Sequence, residues 1–387
     1  MRILITGGAG FIGSHTADAL LCQGHKVRVL DSLEPPVHPN RKRPPYLDDR
    51  LELIEGDVRD ASLLLEAMRG CDAIYHLAAF QDYLPIFSRF FDVNVTSTAL
   101  IFELIVREKL PIKKVIVASS QATLGEGLYH DADGKPLLPD IRSDEQLQRG
   151  IWEIQAPPGF RGPLQWQPTD ETVANPQNQY GISKIAQEKV ALHLGKRYGI
   201  PSVAMRYSIV QGPRQSFYNA YSGACRVFCL SFHQNQEPQI YEDGQQIRDF
   251  VNVLDVVDAN LLALHDDRAN YEMFHVGGGK AYTVSEFAKA VAEIFGRKNY
   301  HPKPCGKYRF GDTRHICSDI TKLQKLGWKA RRSIQDSVAA YKEWLDHADS
   351  AADILSYCNK QMAALNVVRN VSSGASTTDQ FSIRRRI

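Results

Sequence analysis

The stretch "RILITGGAGFIGSHTADALLCQG" limits the fold more than any other part of the chain. A short apolar run ending in glycine reads as a buried strand, and the residues that follow carry helical spacing up to Gly24. Between them Gly7, Gly10 and Gly13 stand three residues apart. Strand, glycine turn and helix in that order open a βαβ unit. The pattern then recurs. "KVRVLD", "LELIEGDV", "AIYHLAA", "KKVIVASS" and "PSVAMRYS" read as further strands. "SLLLEAMRG", "NVTSTALIFELIVREK" and "SKIAQEKVALHLGKRYG" read as helices between them. This alternation predicts an α/β fold, a doubly wound parallel sheet with helices on both faces.

Each glycine of the turn permits what a side chain would prevent: a tight bend, close approach of a pyrophosphate, or close helix packing. The helix start offers unpaired N–H groups and the positive end of its dipole to phosphates. "GGAGFIG" therefore assigns Gly7, Gly10, Phe11, Ile12 and Gly13 to a dinucleotide site. Asp31 closes the second strand. A carboxylate there accepts from both ribose hydroxyls and repels a 2′-phosphate, which favours NAD over NADP.

"NQYGISKIAQEK" holds a second signal. Tyr180 and Lys184 are four residues apart and share one helix face. An ammonium beside a phenol favours phenolate, so this spacing predicts a Tyr180 pKa below its ordinary value and a usable acid or base.

Composition excludes several classes of function. A formal net charge of +2 gives no electrostatic case for nucleic acid or a membrane surface. No apolar run approaches the length of a membrane span. The seven cysteines are scattered without CxxC pairs, which fits a reducing compartment. Cys225 and Cys229 read as packing residues. The opening "MRILITGG" lacks a signal-peptide core, and a cytoplasmic protein is expected.

Residues 1–207 read as the nucleotide-binding domain, interrupted by an aperiodic insert at 126–174 rich in Pro, Gly, Gln and Asp. Residues 208–347 read mainly as a smaller substrate domain, with 249–275 returning to the first. Residues 348–387 read as a helix followed by a disordered tail. The insert is either a lid over the active site or a surface packing element.

"TGGAGFIG", "GDVRD", "YHLAA", "VASS" and "YGISK" occur in the order found in extended short-chain dehydrogenases/reductases. The chain resembles their NAD-dependent epimerase/dehydratase family, from residue 1 to about 345 outside the insert. The resemblance implies a Rossmann-type sheet with a smaller C-terminal α/β substrate domain, and a homodimer paired through the helices at about 91–108 and 180–198. It implies that Asp57 and Val58 bracket the adenine, that Ala78 and Ala79 line the cofactor path, and that Asn94 lies near it. Asp57 also reads as a plain strand-end turn residue. Tyr180 resembles the family's catalytic base and Lys184 its helper. Ser120 resembles the hydroxyl that bonds the reacting sugar oxygen, with Ser119 as the alternative.

The family's 4,6-dehydratases carry Asp-Glu directly after that hydroxyl residue. Gln121 and Ala122 stand there instead and cannot exchange protons for water elimination. The resemblance thus implies epimerisation of a nucleotide-diphosphate sugar at C4 through a transient 4-keto sugar. A net nucleotide-sugar dehydrogenase, ketoreductase or dehydratase is the alternative, and a non-enzymatic NAD-binding protein is a third reading. Arg248 would clamp the diphosphate, and Arg309 with Asp312 would hold the nucleotide. Arg248 and Asp249 also read as a surface ion pair. Ser208, Gln211 and His275 depart from residues common in the family, Asn, Tyr and Asn respectively. The insert "DEQLQRGIWEIQAPPGFRGPLQWQP" resembles one in a branch that includes dTDP-L-rhamnose 4-epimerase-like proteins. Some of that branch carry a CPxCG zinc element where "APPGFRG" stands here, so no metal is expected.

Overall fold

The structure is a computed structural model that describes residues 1–82, 84–219, 223–347, 360, 362 and 365–372. Its first half runs β1 (Arg2–Thr6), α1 (Phe11–Cys22), β2 (Lys26–Asp31), β3 (Glu52–Glu55), α2 (Ala61–Met68), β4 (Ala73–His76), α3 (Phe87–Phe91), α4 (Ser97–Arg107) and β5 (Lys114–Ser120). The insert follows with β6 (Leu128–His130), β7 (Pro136–Leu137), α5 (Asp144–Gln148) and β8 (Gln165–Gln167). Then come α6 (Gln179–Tyr198), β9 (Ser202–Tyr207), β10 (Ile209–Gln211), α7 (Ala224–His233), β11 (Ile247–Asn252), α8 (Val253–His265) and β12 (Met273–Val276). The remainder is β13 (Ala281–Thr283), α9 (Val284–Ile294), β14 (Lys307–Arg309), α10 (Thr321–Gln324), α11 (Ile334–Asp346) and β15 (Val368–Asn370).

Seven strands form one sheet in the order β12-β9-β5-β4-β1-β2-β3, parallel at every pairing. Both faces are covered, as the continuous apolar strands require. Ile3, Ile5, Tyr75 and Met205 pack with α1 and α8 on one face. Leu4, Ile74, Val115 and Val117 pack with α2, α4 and α6 on the other. The sheet order reverses direction between β1 and β4, and ligands bind beyond the strand ends at such a switch point. Residues 273–276 complete the sheet at its β9 edge.

A smaller layer holds β10, β11 and β13 against α7, α9 and α11, around Phe228, Phe250 and Phe287. The insert carries its own sheet, β7-β6-β8, and bridges the C-terminal half through Thr169 and Ser318. No helix among the described residues is long and apolar enough to cross a membrane. The expected helix from 348 and the expected tail fall almost wholly outside the described residues.

One helix differs from expectation. The segment expected to begin near 91 is entered earlier, at Phe87, and passes through a π-helical turn at Asp92–Thr96 before α4. Ser97 Oγ donates to Val93 O, and Thr98 Oγ1 donates to Asn94 O at 2.7 Å. The widened turn leaves the Asn94 side chain pointing at Phe80 rather than into the next turn, and π-turns of this sort gather at functional sites.

Candidate active site

A continuous cleft of ≈ 570 Å³ runs along the carboxyl ends of the strands, from the glycine turn to the C-terminal layer. At one end lies the β1–α1 turn. Gly7 has φ +69°, and a Cβ on it would come within 2.6 Å of Ala78 N. A Cβ on Gly13 would meet Gly7 O at 2.3 Å. These two glycines hold the turn against β4 and seat the helix. Gly10 differs: its Cβ position meets only Gly7 O, at 3.3 Å, and otherwise faces open cleft. Three glycines therefore divide into two packing positions and one approach position. α1 has no side-chain cap and no acidic residue in its first turn, so its N–H groups and dipole stay available to an anion. This arrangement fits a pyrophosphate.

Asp31 is buried and lines the cleft. Its Oδ2 accepts from Ala9 N at 2.9 Å and its Oδ1 from Leu33 N at 3.0 Å. Burial pushes its carboxyl above the ordinary value, against the two backbone donors and the neighbouring His38. Asp57 lines the cleft and also holds Arg59, with Nη2 2.6 Å from Oδ2. Val58, Ala78 and Ala79 line the cleft as well. Asn94 stands one layer behind the wall, fully buried. Its amide accepts from Phe80 N at 2.8 Å and donates to Phe80 O at 3.1 Å and to Ser183 Oγ at 2.9 Å. It fixes Phe80, which does face the cleft.

Ser120, Tyr180 and Lys184 come together at mid-cleft. Asn178 caps α6 by accepting from Gly181 N at 2.8 Å, which brings the first turn of the helix up to the end of β5. Ser120 is hydrogen-bonded to the Tyr180 phenol. Ser119 points the other way and donates to the buried Glu188, which in turn pairs with Arg206 at 2.7 Å. Lys184 Nζ sits 5.7 Å from the Tyr180 ring centroid. It donates to Ala118 O and to Gln187 Oε1, both at 2.8 Å.

The electrostatics differ from the expectation for a bare Tyr-Lys pair. Burial pushes the Tyr180 phenol up to about 12, although the Ser120 bond acts to lower it. Burial also brings Lys184 down to about 7, against the pull of Glu188. Desolvation disfavours both charged forms.

At the far end the cleft is lined by Arg248, Arg309 and Asp312. Arg309 Nε and Asp312 Oδ2 pair at 2.9 Å. Arg248 and Asp249 are not a surface ion pair. Arg248 donates to Thr313 O at 2.7 Å and to Arg314 O at 3.2 Å, while the fully buried Asp249 accepts from Ser208 Oγ at 2.7 Å and Gly278 N at 2.7 Å. Gln121 lines the cleft and donates to Ser318 Oγ at 2.9 Å. Of the three departures from the family pattern, only Ser208 reaches the cleft. His275 is buried off the cleft; burial, with the neighbouring Arg206, lowers its pKa to about 3. No residue of the insert, 126–174, lines the cleft.

Two features were missed in the sequence. Gln187 bridges Lys184 to Thr98, with Nε2 3.0 Å from Thr98 Oγ1. Its i+3 spacing from Lys184 was the available signal. Arg89 joins Glu34 at 2.5 Å along the cofactor end of the cleft and lies 4.7 Å over the Phe80 ring. Fifty-five residues separate that pair, and no local pattern announces it.

Comparison with known proteins agrees with this geometry. The chain matches the NAD dependent epimerase/dehydratase family over residues 3–142 and 157–277, and the gap falls inside the insert. It is 32% identical to a dTDP-L-rhamnose 4-epimerase of Burkholderia thailandensis, over 89% of this chain and 94% of that one. It is 30% identical to a putative UDP-glucose 4-epimerase of Methanocaldococcus jannaschii, over 89% and 98%. The crystal structure of Thermotoga maritima UDP-glucose 4-epimerase with UDP-glucose superposes with a TM-score of 0.71 at 28% identity, covering 89% of this chain and 99% of that chain. A Thermus thermophilus UDP-glucose 4-epimerase in complex with NAD gives 0.70 at 26%, covering 90% and 100%. With the glycine turn, the parallel sheet and the Ser120, Tyr180 and Lys184 cluster in one cleft, these matches establish that the chain belongs to the NAD-dependent epimerase/dehydratase family.

Proposed function

We propose that the protein is an NAD-dependent epimerase that inverts C4 of a nucleotide-diphosphate sugar. The observation that carries this reading is the single cleft that joins the dinucleotide turn, the Ser120–Tyr180–Lys184 cluster and the Arg248–Arg309 end. Gly10, the α1 N-terminus and Asp31 hold the cofactor at one end. Arg248, Arg309 and Asp312 hold the nucleotide at the other, where guanidinium forks suit phosphate oxygens. The sugar then lies between them, against Ser120 and Tyr180.

Ser120 orients the reacting 4-hydroxyl, and Tyr180 Oη takes and returns its proton. When bound, the oxidised cofactor supplies a reversible hydride acceptor and a positive charge that favours the phenolate. Lys184 Nζ adds to that charge in its protonated form, and Gln187 with Ala118 O holds it in position. Gln121 and Ala122 carry no ionisable group, so water is not eliminated. Incubation with dTDP- and UDP-hexoses, followed by chromatography of the products, tests the reading. The C4 epimer of at least one is expected, with no net change in NADH. Absence of any C4 epimer across both nucleotide series would contradict it.

We place the protein in the cytoplasm as a homodimer, paired through α4 and α6. The six described cysteines are all unpaired, as in a reducing compartment. Phe87, Phe91, Val106 and Ile182 are exposed apolar side chains on α3, α4 and α6. Sedimentation equilibrium at micromolar concentration is expected to return twice the chain mass. A monomer alone would count against this pairing, and recovery in the membrane or secreted fraction would count against the location.

A further inference from the structure

The insert stays out of the cleft, yet one buried charge cluster connects it to the nucleotide end. Arg142, from the insert, is 3% exposed. Its Nη1 donates to Trp152 O and Glu242 Oε2, both at 2.9 Å. Its Nη2 donates to Glu242 Oε1 at 2.8 Å and to Asp312 O at 2.7 Å. Glu126, also buried, accepts from Arg314 N at 2.6 Å and lies 3.5 Å from Arg142 Nε. The Arg314 side chain pairs with Glu242 and Asp243, and with Glu153 of the insert.

Segment 309–314 is thereby gripped from two directions. Arg142 binds the carbonyl of residue 312, and Arg248 binds those of 313 and 314. Three consecutive carbonyls are fixed by two arginines, one from the insert and one from β11. This stretch follows β14 and lies in no helix or strand of its own beyond Arg309. Its regular hydrogen bonds are few, so side chains must set its path. A buried guanidinium with both terminal nitrogens bonded is a rigid fork, and removing it leaves carboxylates and carbonyls without partners.

We propose that the insert is a positioning module for the nucleotide-gripping segment, with Arg142 as the positioning residue that sets where Arg309 and Asp312 stand in the cleft. The inference rests on the reading above that these two side chains hold the nucleotide. It gives the insert a role at the site without any contact to substrate.

The test is Arg142→Met in the full chain, purified with its cofactor. Binding of UDP and dTDP is measured by calorimetry, and KM is separated from kcat with the accepted nucleotide sugar. Nucleoside-diphosphate binding is expected to weaken about tenfold and KM to rise in step, the scale of weakening one charge-assisted hydrogen bond. The kcat is expected to stay within about twofold, and the NAD content to stay unchanged. Arg142→Lys keeps the charge and loses the fork, and should fall between the two. It carries the same test if the Met variant does not fold. Unchanged binding and KM with only a lower melting temperature would make Arg142 purely structural and overturn the proposal. A fall in kcat at constant KM would overturn it as well. Arg309→Ala separates the two claims. If it leaves binding unchanged, the nucleotide-grip reading itself fails. If it weakens binding while Arg142→Met does not, only the positioning role fails.

Discussion

Tyr180→Phe is expected to stop turnover while leaving the cofactor bound. The substitution keeps the ring that packs in the cleft wall and removes only the phenolic oxygen bonded to Ser120. On the proposed reading the cofactor is held independently, by the glycine turn and Asp31 at one end of the cleft. Loss of a positioned acid/base lowers the rate by at least ~10²-fold, and ~2.7 kcal/mol of barrier corresponds to that factor. Product chromatography reads the rate, and absorbance of the nucleotide released on denaturation reads the bound NAD. Substantial remaining turnover would move proton transfer to another group. Loss of NAD together with activity would show that the phenol serves binding rather than chemistry.

The second large effect separates the glycines of the turn. Gly13→Ala puts a methyl group 2.3 Å from Gly7 O and 2.7 Å from Gly8 Cα, both backbone atoms. The turn has to shift, at an overpacking cost of about 1–3 kcal/mol. Both the melting temperature and the bound cofactor should fall. Gly10→Ala meets only one atom, at 3.3 Å, and its φ of −77° suits any residue. Its methyl projects into the cleft instead. The melting temperature without cofactor should hold, while NAD affinity drops by at least about tenfold, since a buried phosphate loses its close approach. Equal thermal loss in both variants would contradict the division into packing and approach positions.

What the sequence makes legible here is what depends on short-range pattern. The apolar runs and glycine stops around Gly7 and Gly24 need no knowledge of tertiary contacts, and the parallel sheet follows from their alternation. Tyr180 and Lys184 are visible as one helix face. Ser120 is harder to read, because two adjacent serines end β5 and only the three-dimensional pairing of Ser119 with Glu188 separates them. Electrostatics were legible only in part. Proximity of Lys184 suggests a lowered Tyr180 pKa, but burial of both groups acts the other way, and burial is a property of the folded cleft.

The insert shows the limit most clearly. Its composition reads as an aperiodic loop, yet Arg142 is buried against Glu242, one hundred residues away. No spacing rule links such residues. The π-turn at Asp92–Thr96 is similar: the apolar stripe of α4 is plain in the sequence, whereas the widened turn goes with contacts between Asn94 and the distant Phe80 backbone.

The central claim is that C4 is inverted by oxidation and re-reduction inside one cleft, with Tyr180 handling only the hydroxyl proton. A nucleotide sugar carrying deuterium at C4, converted in ordinary water, tests it through mass spectrometry of the epimer. The account predicts that the inverted product keeps its label, and that the unlabelled sugar converted in heavy water gains none at C4. The hydroxyl proton exchanges with solvent without trace. Inverted product that loses its C4 label to water, or that takes up solvent deuterium there, would contradict the mechanism. Label recovered in free NADH, in step with oxidised sugar, would mark a net dehydrogenase instead.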